Sequence, residues 1–102
     1  MEEGVDVASR VHLAGFREID GSAMIIIKKS IIKHANRIAD LAGKFEELHV
    51  TLKEVHEREK SEKYEVHARF LGNGKLKAAE ITDRNLFTAV DGVLEKLINE
   101  ID

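Results

Sequence analysis

The side chains best placed to do chemistry in this sequence are cations. Lys28, Lys29, Lys33 and Arg37, with His34 beside them, take the polar side of a stretch whose apolar residues are Met24, Ile27, Ile31, Ala35, Ile38 and Ala42, and Asp40 is the acid among them. Arg10, Lys53, Arg69, Lys75 and Lys77 take the outward positions of stretches in which apolar residues alternate, alongside His12, His49, Thr51, His67 and one acid, Glu65. The chain carries a net charge of -3, so this segregation makes a local positive field of the kind that holds phosphates. No aromatic shares the outward strand positions, so such a surface would read backbone and shape rather than stacked bases. The competing explanation is solvation: a charged helix face, and lysines that keep a bare sheet soluble and block pairing at its edges.

Other chemistries find less support. Pairing Val50 with Val66 would set His49 opposite His67 with Cβ atoms ~5 Å apart, and His12 would sit on the adjoining strand. A metal site or a pH sensor is the functional reading of that trio, and solvated sheet histidines the plain one. No carboxylate is evidently placed to complete a metal site, so none is assigned. Asp91 and Glu95 form an i, i+4 carboxylate pair, read as part of a solvated helix face with no burial to split their pKa values. Ser9, Ser22, Ser30 and Ser61 have no evident base and acid partners. Gly72-Asn73-Gly74 joins two strands and is better read as a turn than as a phosphate loop. With no cysteine there is no disulfide framework, thiolate metal site or cysteine nucleophile. The expectation is a protein that is not an enzyme and needs no cofactor.

The elements that carry these residues follow from periodicity. Val5, Val7, Val11 and Leu13 alternate as a first strand, with Arg10 and His12 outward and Phe16 and Ile19 anchoring its exit. Asp20-Gly21-Ser22 supplies a turn and, in Asp20 or Ser22, the N-cap of a helix over 23–42 that Gly43 closes; its start, Ile25-Ile26-Ile27, is a poor helix former able to extend as strand. Leu48, Val50 and Leu52 give a second strand, with Val55 out of phase, and the apolar-free run 56–63 reads as a solvated hairpin loop. Tyr64, Val66, Ala68 and Phe70 mark a third strand. After the glycine turn, 75–81 returns as a fourth. A three-residue loop there turns Leu76 and Ala78 inward and Lys75 and Lys77 outward, whereas a two-residue turn reverses them; the former is expected because it buries Leu76. Thr82, Asp83 or Asn85 then caps a helix over 86–101, with a stripe of Leu86, Val90, Val93, Leu94, Leu97, Ile98 and Ile101.

The order is β-α-β-β-β-α, an α+β fold with a four-stranded sheet and two helices packed on one face. A right-handed first crossover makes strand one parallel to its neighbour. At 102 residues the chain is expected to form a single domain, 1–102. Its acidic start lacks the order of a signal peptide, and its longest apolar run, 23–27, is far short of the ~20 residues of a membrane span, so a soluble, cytoplasmic protein is expected.

The last helix and its cap resemble the C-terminal signature of the ribosome hibernation-promoting factors, the ribosome-associated inhibitors of translation. Asn85, Leu86, Phe87, Ala89, Val90, Asp91, Lys96 and Leu97 match in order. The strand HVTLKEV, the charged run, the strand YEVHARF, the glycine turn and KLKAAE are similar in order and character to that family's central hairpins. The resemblance implies a fold like that of double-stranded RNA-binding domains. It also implies binding to the small ribosomal subunit, in the channel of messenger and transfer RNA, through ribosomal RNA phosphates. By character, Lys28, Lys29, Lys33 and Arg37 on the first helix and Arg10, Lys53, Arg69, Lys75 and Lys77 on the sheet suit that part. Two readings therefore stand: a binder of the small ribosomal subunit or structured RNA, or a protein-pairing module of the same fold, for instance a homodimer joined through a sheet edge.

Overall fold

The computed structural model describes residues 7–58 and 61–101. A 3-10 turn, Val7–Arg10, leads into β1, Val11–Ala14. Helix α1, Gly21–Ala42, follows, then β2, Glu47–Arg58, β3, Ser61–Gly72, β4, Lys75–Asp83, and helix α2, Leu86–Ile101. The four strands lie side by side in the order β1-β2-β3-β4, with β1 parallel to β2 and the remaining pairs antiparallel. This is the expected α+β arrangement. No helix among the described residues is long and apolar enough to cross a membrane.

The first strand is shorter than its alternation suggests. Val5 lies outside the described residues, and Val7 is buried from the 3-10 turn rather than from a strand. Ser9 occupies the position where the alternation requires an apolar residue, and the backbone turns there instead of extending. In α1 the Asp20 carboxylate accepts from the Ser22 and Ala23 amides at 3.1 and 3.4 Å, satisfying two of the orphan donors of the first turn. Helix runs through Ile25-Ile26-Ile27 despite their branching, because burial of Ile27 outweighs the few tenths of a kcal/mol each residue gives up in propensity. At the other end Gly43, at φ 81°, donates to the Ala39 carbonyl at 3.1 Å.

Two departures from the sequence reading concern the hairpins. The run 56–63 is not a loop: β2 and β3 stay paired out to Arg58 and Ser61, leaving only 59–60 between them, which lie outside the described residues. The run has no apolar residue to mark a strand, and its pairing is carried by the backbone. Val55 is out of phase because the register shifts between Leu52 and Glu54. The second departure is the tight turn. Gly72 pairs with Lys75, so only Asn73 and Gly74 connect β3 to β4, both at positive φ (56° and 74°). A two-residue turn of that hand matches the right-handed strand twist, and it gives β4 the opposite facing to the one expected.

Beneath the sheet lies a single core. Ile27, Ile31, Ala35 and Ile38 of α1 and Ala89, Val90, Val93, Leu94, Leu97 and Ile98 of α2 pack on Leu48, Val50, Leu52, Val66, Ala68 and Phe70, with Phe45 at one end. Asn85 caps α2: its side-chain oxygen accepts from the Thr88 amide at 3.0 Å, while Asp83 accepts from the Asn85 amide at 2.9 Å. Gly15 follows β1 at φ 85°, where a Cβ would lie 2.0 Å from the Leu52 carbonyl oxygen, whereas a Cβ on Gly21 meets nothing within 4 Å. Gly15→Ala is therefore expected to destabilise the fold by about 2 kcal/mol or more, and Gly21→Ala to be neutral or stabilising by up to about 1 kcal/mol. Urea unfolding of both variants measures the contrast.

Candidate nucleic-acid interface

Lys28, Lys29, Lys33 and Arg37 are all exposed on α1, as the sequence indicates. They share that outer surface with Asp40 and with Ile25 and Ile26, which are 60% and 58% exposed. His34 does not belong to it. Its ring is buried in the seam between the helices, where Nδ1 lies 2.8 Å from the Ser30 carbonyl and Nε2 lies 3.1 Å from the Glu95 carboxylate. Nδ1–H donates to the carbonyl, which leaves Nε2 facing the carboxylate. The Ser30 hydroxyl donates to Asp91 across the same seam. The carboxylates read as a solvated face thus pin α2 to α1, and they bring two acids alongside the basic cluster.

The uncovered face of the sheet is less basic than expected. Phe70 faces the helices and pairs with Lys77, and Gly72 pairs with Lys75, so both lysines lie on the helix side of β4. There they flank a shallow pocket with Leu41, Ala42 and Ile101 at the ends of the two helices. Lys77 is half-buried beside that rim, the setting in which a lysine covers apolar surface with its stem and keeps its charge in water. Leu76 takes the outward place instead and is 60% exposed. Arg10 precedes β1 and donates from its guanidinium to the Phe45 carbonyl at 3.1 Å. Lys53 and Arg69 remain as exposed cations of the open face, and against them stand Glu47, Glu65 and Glu80.

The histidines form a different pattern from the one expected. Val50 pairs with Ala68 rather than Val66, which sets His49 opposite Arg69 and His67 opposite Thr51. His12 does lie beside His49, their rings stacked with centroids 4.7 Å apart. His49 Nε2 contacts Glu47 at 2.6 Å, and His67 contacts Glu65 at 2.7 Å and, across the strands, Glu80 at 3.6 Å. Two Glu-x-His pairs, Glu47 with His49 and Glu65 with His67, recur on neighbouring strands. Residues two apart on a strand share a face, and that spacing is the signal by which the acids can be found in the sequence. Among the described residues no cluster of three or more His, Asp or Glu side chains is suited to a metal ion. Hydrogen bonding from His49 holds the Glu47 carboxyl below the usual glutamate range, opposed by partial desolvation and assisted by the charges of His49, His12 and Arg69.

A four-stranded sheet bare on one face and covered by two helices on the other, with cations on the outer helix surface, defines the class of small α+β proteins to which the chain belongs. Residues 22–102 match the family model described as Sigma 54 modulation protein / S30EA ribosomal protein. The chain belongs to this family, that of the ribosome hibernation-promoting factors, which are ribosome-associated modulators of translation. Among solved structures, a ribosomal subunit interface protein from Coxiella burnetii matches with a TM-score of 0.65 at 17% identity, over 89% of this chain and 91% of that one. The N-terminal domain of Thermus thermophilus Protein Y matches at 0.59 and 18%, with the same shares covered. At such identities the likeness is one of fold. Comparison with curated proteins gives no match.

Because the folded-state pKa of Glu47 is depressed, its contribution to stability is present above the ordinary glutamate value and lost as pH falls through the lowered one. An NMR titration is expected to place the Glu47 midpoint below that of free glutamate, and His49→Ala to return it towards the ordinary range. An unshifted midpoint in the wild-type chain would refute the pairing.

Proposed function

We propose that the chain binds the small ribosomal subunit and modulates translation by occupying ribosomal RNA phosphates, with no chemical step. The family match over residues 22–102 carries this reading. The name of one structural neighbour, a ribosomal subunit interface protein, supports the same location. It accords with a cytoplasmic protein.

The exposed face of α1 is the principal contact in this reading, through Lys28, Lys29, Lys33 and Arg37. Lys75 and Lys77 extend it along the helix layer, near the C-terminal ends of α1 and α2. Lys53 and Arg69 serve a secondary contact, weakened by the neighbouring glutamates, and Arg10 offers the guanidinium donors that Phe45 does not take. Lysines and arginines on phosphates give affinity through counterion release and little sequence discrimination, which suits a structured RNA held by its shape.

Co-sedimentation with purified small subunits over a series of potassium concentrations tests the proposal. The wild-type chain is expected to bind at low salt and to leave as salt rises. Replacing Lys28, Lys29, Lys33 and Arg37 together by Gln is expected to weaken binding and to flatten the log–log salt slope by about 3, at ~0.7–0.9 for each phosphate no longer neutralised. Replacing Lys53 and Arg69 by Gln is expected to change the slope less. Absence of sedimentation at every salt concentration would overturn ribosome binding, and an unchanged slope in the α1 variant would overturn the assignment to that helix.

A further inference from the structure

Strand β4 ends the sheet on one side. The two-residue turn closes with a hydrogen bond between Gly72 and Lys75, so alternation along the antiparallel ladder aims the backbone groups of Lys75, Lys77, Ala79, Ile81 and Asp83 at β3. Those of Leu76, Ala78, Glu80 and Thr82 point away from the sheet. The Glu80 carbonyl agrees with this phase, because it accepts from Lys96 Nζ at 3.3 Å, reached from α2 around the edge. The side chains of Leu76, Ala78, Glu80 and Thr82 are exposed. An edge of this length with outward backbone groups is a template for another strand.

The sequence of that edge is matched to itself. A second antiparallel copy of β4 must keep its helix side and its open side aligned, which restricts the register to steps of two. Centred on Ala79, the pairing uses all nine residues of the strand. It sets Lys75 opposite Asp83 of the second copy at both ends, Lys77 opposite Ile81, and Ala79 opposite itself, where small side chains suit the close approach of a non-hydrogen-bonded pair. Leu76 with Thr82 and Ala78 with Glu80 are then the pairs that exchange backbone hydrogen bonds. Centred on Glu80, the register places two carboxylates directly opposite each other; centred on Ala78, it faces Leu76 with Glu80 and leaves Asp83 without Lys75.

We propose that a second copy of this chain pairs on the β4 edge, antiparallel and centred on Ala79, giving one continuous sheet through both copies. Lys96 guards the edge in the monomer and must leave the Glu80 carbonyl for the pairing to form. Lys28, Lys29, Lys33 and Arg37 of α1 take no part in this edge, so the dimer and the α1 contact with RNA are independent, whereas Lys75 and Lys77 belong to both the pairing and the proposed RNA surface.

Sedimentation equilibrium of the full chain is expected to show a monomer–dimer equilibrium. Ala78→Pro removes an outward N–H and leaves the bonds to β3 intact, so it is expected to weaken the dimer by roughly tenfold or more while circular dichroism and thermal unfolding stay near wild type. The chain has no cysteine, so single-cysteine variants report the register. Ala79→Cys, oxidised with copper phenanthroline, is expected to form a covalent dimer, and Lys77→Cys and Ile81→Cys are not. A wild-type chain that stays monomeric to millimolar concentration would overturn the proposal, as would a dimer unaffected by Ala78→Pro or cross-linking that favours position 77 or 81.

Discussion

The facing of β4 is the constraint on which the surfaces of this protein depend, and it is set by two residues. Asn73 and Gly74 both hold positive φ, so the turn has two residues rather than three. Because side chains alternate strictly along a strand, one residue more or less in the turn exchanges every side chain of β4 between the core and the solvent. With the observed turn, Ala79 and Ile81 pack under α2 and Leu76 is left outside. Gly92 lets α2 approach closely, since a Cβ there would lie 2.9 Å from Ile81. The burial of Leu76 is forgone, a loss of up to about 2 kcal/mol, while Ile81 is gained and the turn is free of strain.

That exchange governs the electrostatics of the open face. Moving Lys75 and Lys77 to the helix side removes two cations from it, and Glu80 takes an outward place. What remains is a lattice of Glu–His contacts around Lys53 and Arg69, in which carboxylates break up any run of positive charge. The helix layer changes in the opposite sense. Its outer surface keeps the four cations of α1 and gains two lysines at one end, close to the C-terminus of α1, where a positive charge is favoured.

Sequence reading succeeded where periodicity is strong and failed where a single residue decides. Helix α2 runs over Leu86–Ile101 as its stripe predicts, because seven apolar positions at helical spacing leave no other way to bury them. The C-cap at Gly43 is equally legible, being local chemistry, while the N-cap is legible only as Asp20 or Ser22, of which the structure takes Asp20. The turn was not, since the competing term, burial of Leu76, is visible in the sequence and the twist of the sheet is not. His34 was misassigned for a related reason. On a helical wheel it borders the basic cluster, and only the approach of α2, with Glu95 at 3.1 Å, makes its position interior. Of the candidate site, the α1 residues were readable as a surface, while the sheet residues depended on registers that no local pattern fixes.

The distribution of charge also bears on how one small fold can hold a polyanion without being basic. A net charge of -3 opposes approach to RNA at long range, but beyond roughly 8–10 Å physiological salt screens that opposition. At contact, what counts is whether neighbouring cations outnumber neighbouring acids within that distance. On the open face, with Glu47, Glu65 and Glu80 among Lys53 and Arg69, they do not. On α1 they do: Lys28, Lys29, Lys33 and Arg37 outnumber Asp40 and the two neighbouring acids of α2, Asp91 and Glu95, which contact Ser30 and His34. The interhelical contacts that join α1 to α2 therefore also set how close the acids of α2 stand to the cations of α1. The side chains that join the two helices thus also set the balance of charge on the surface those helices present.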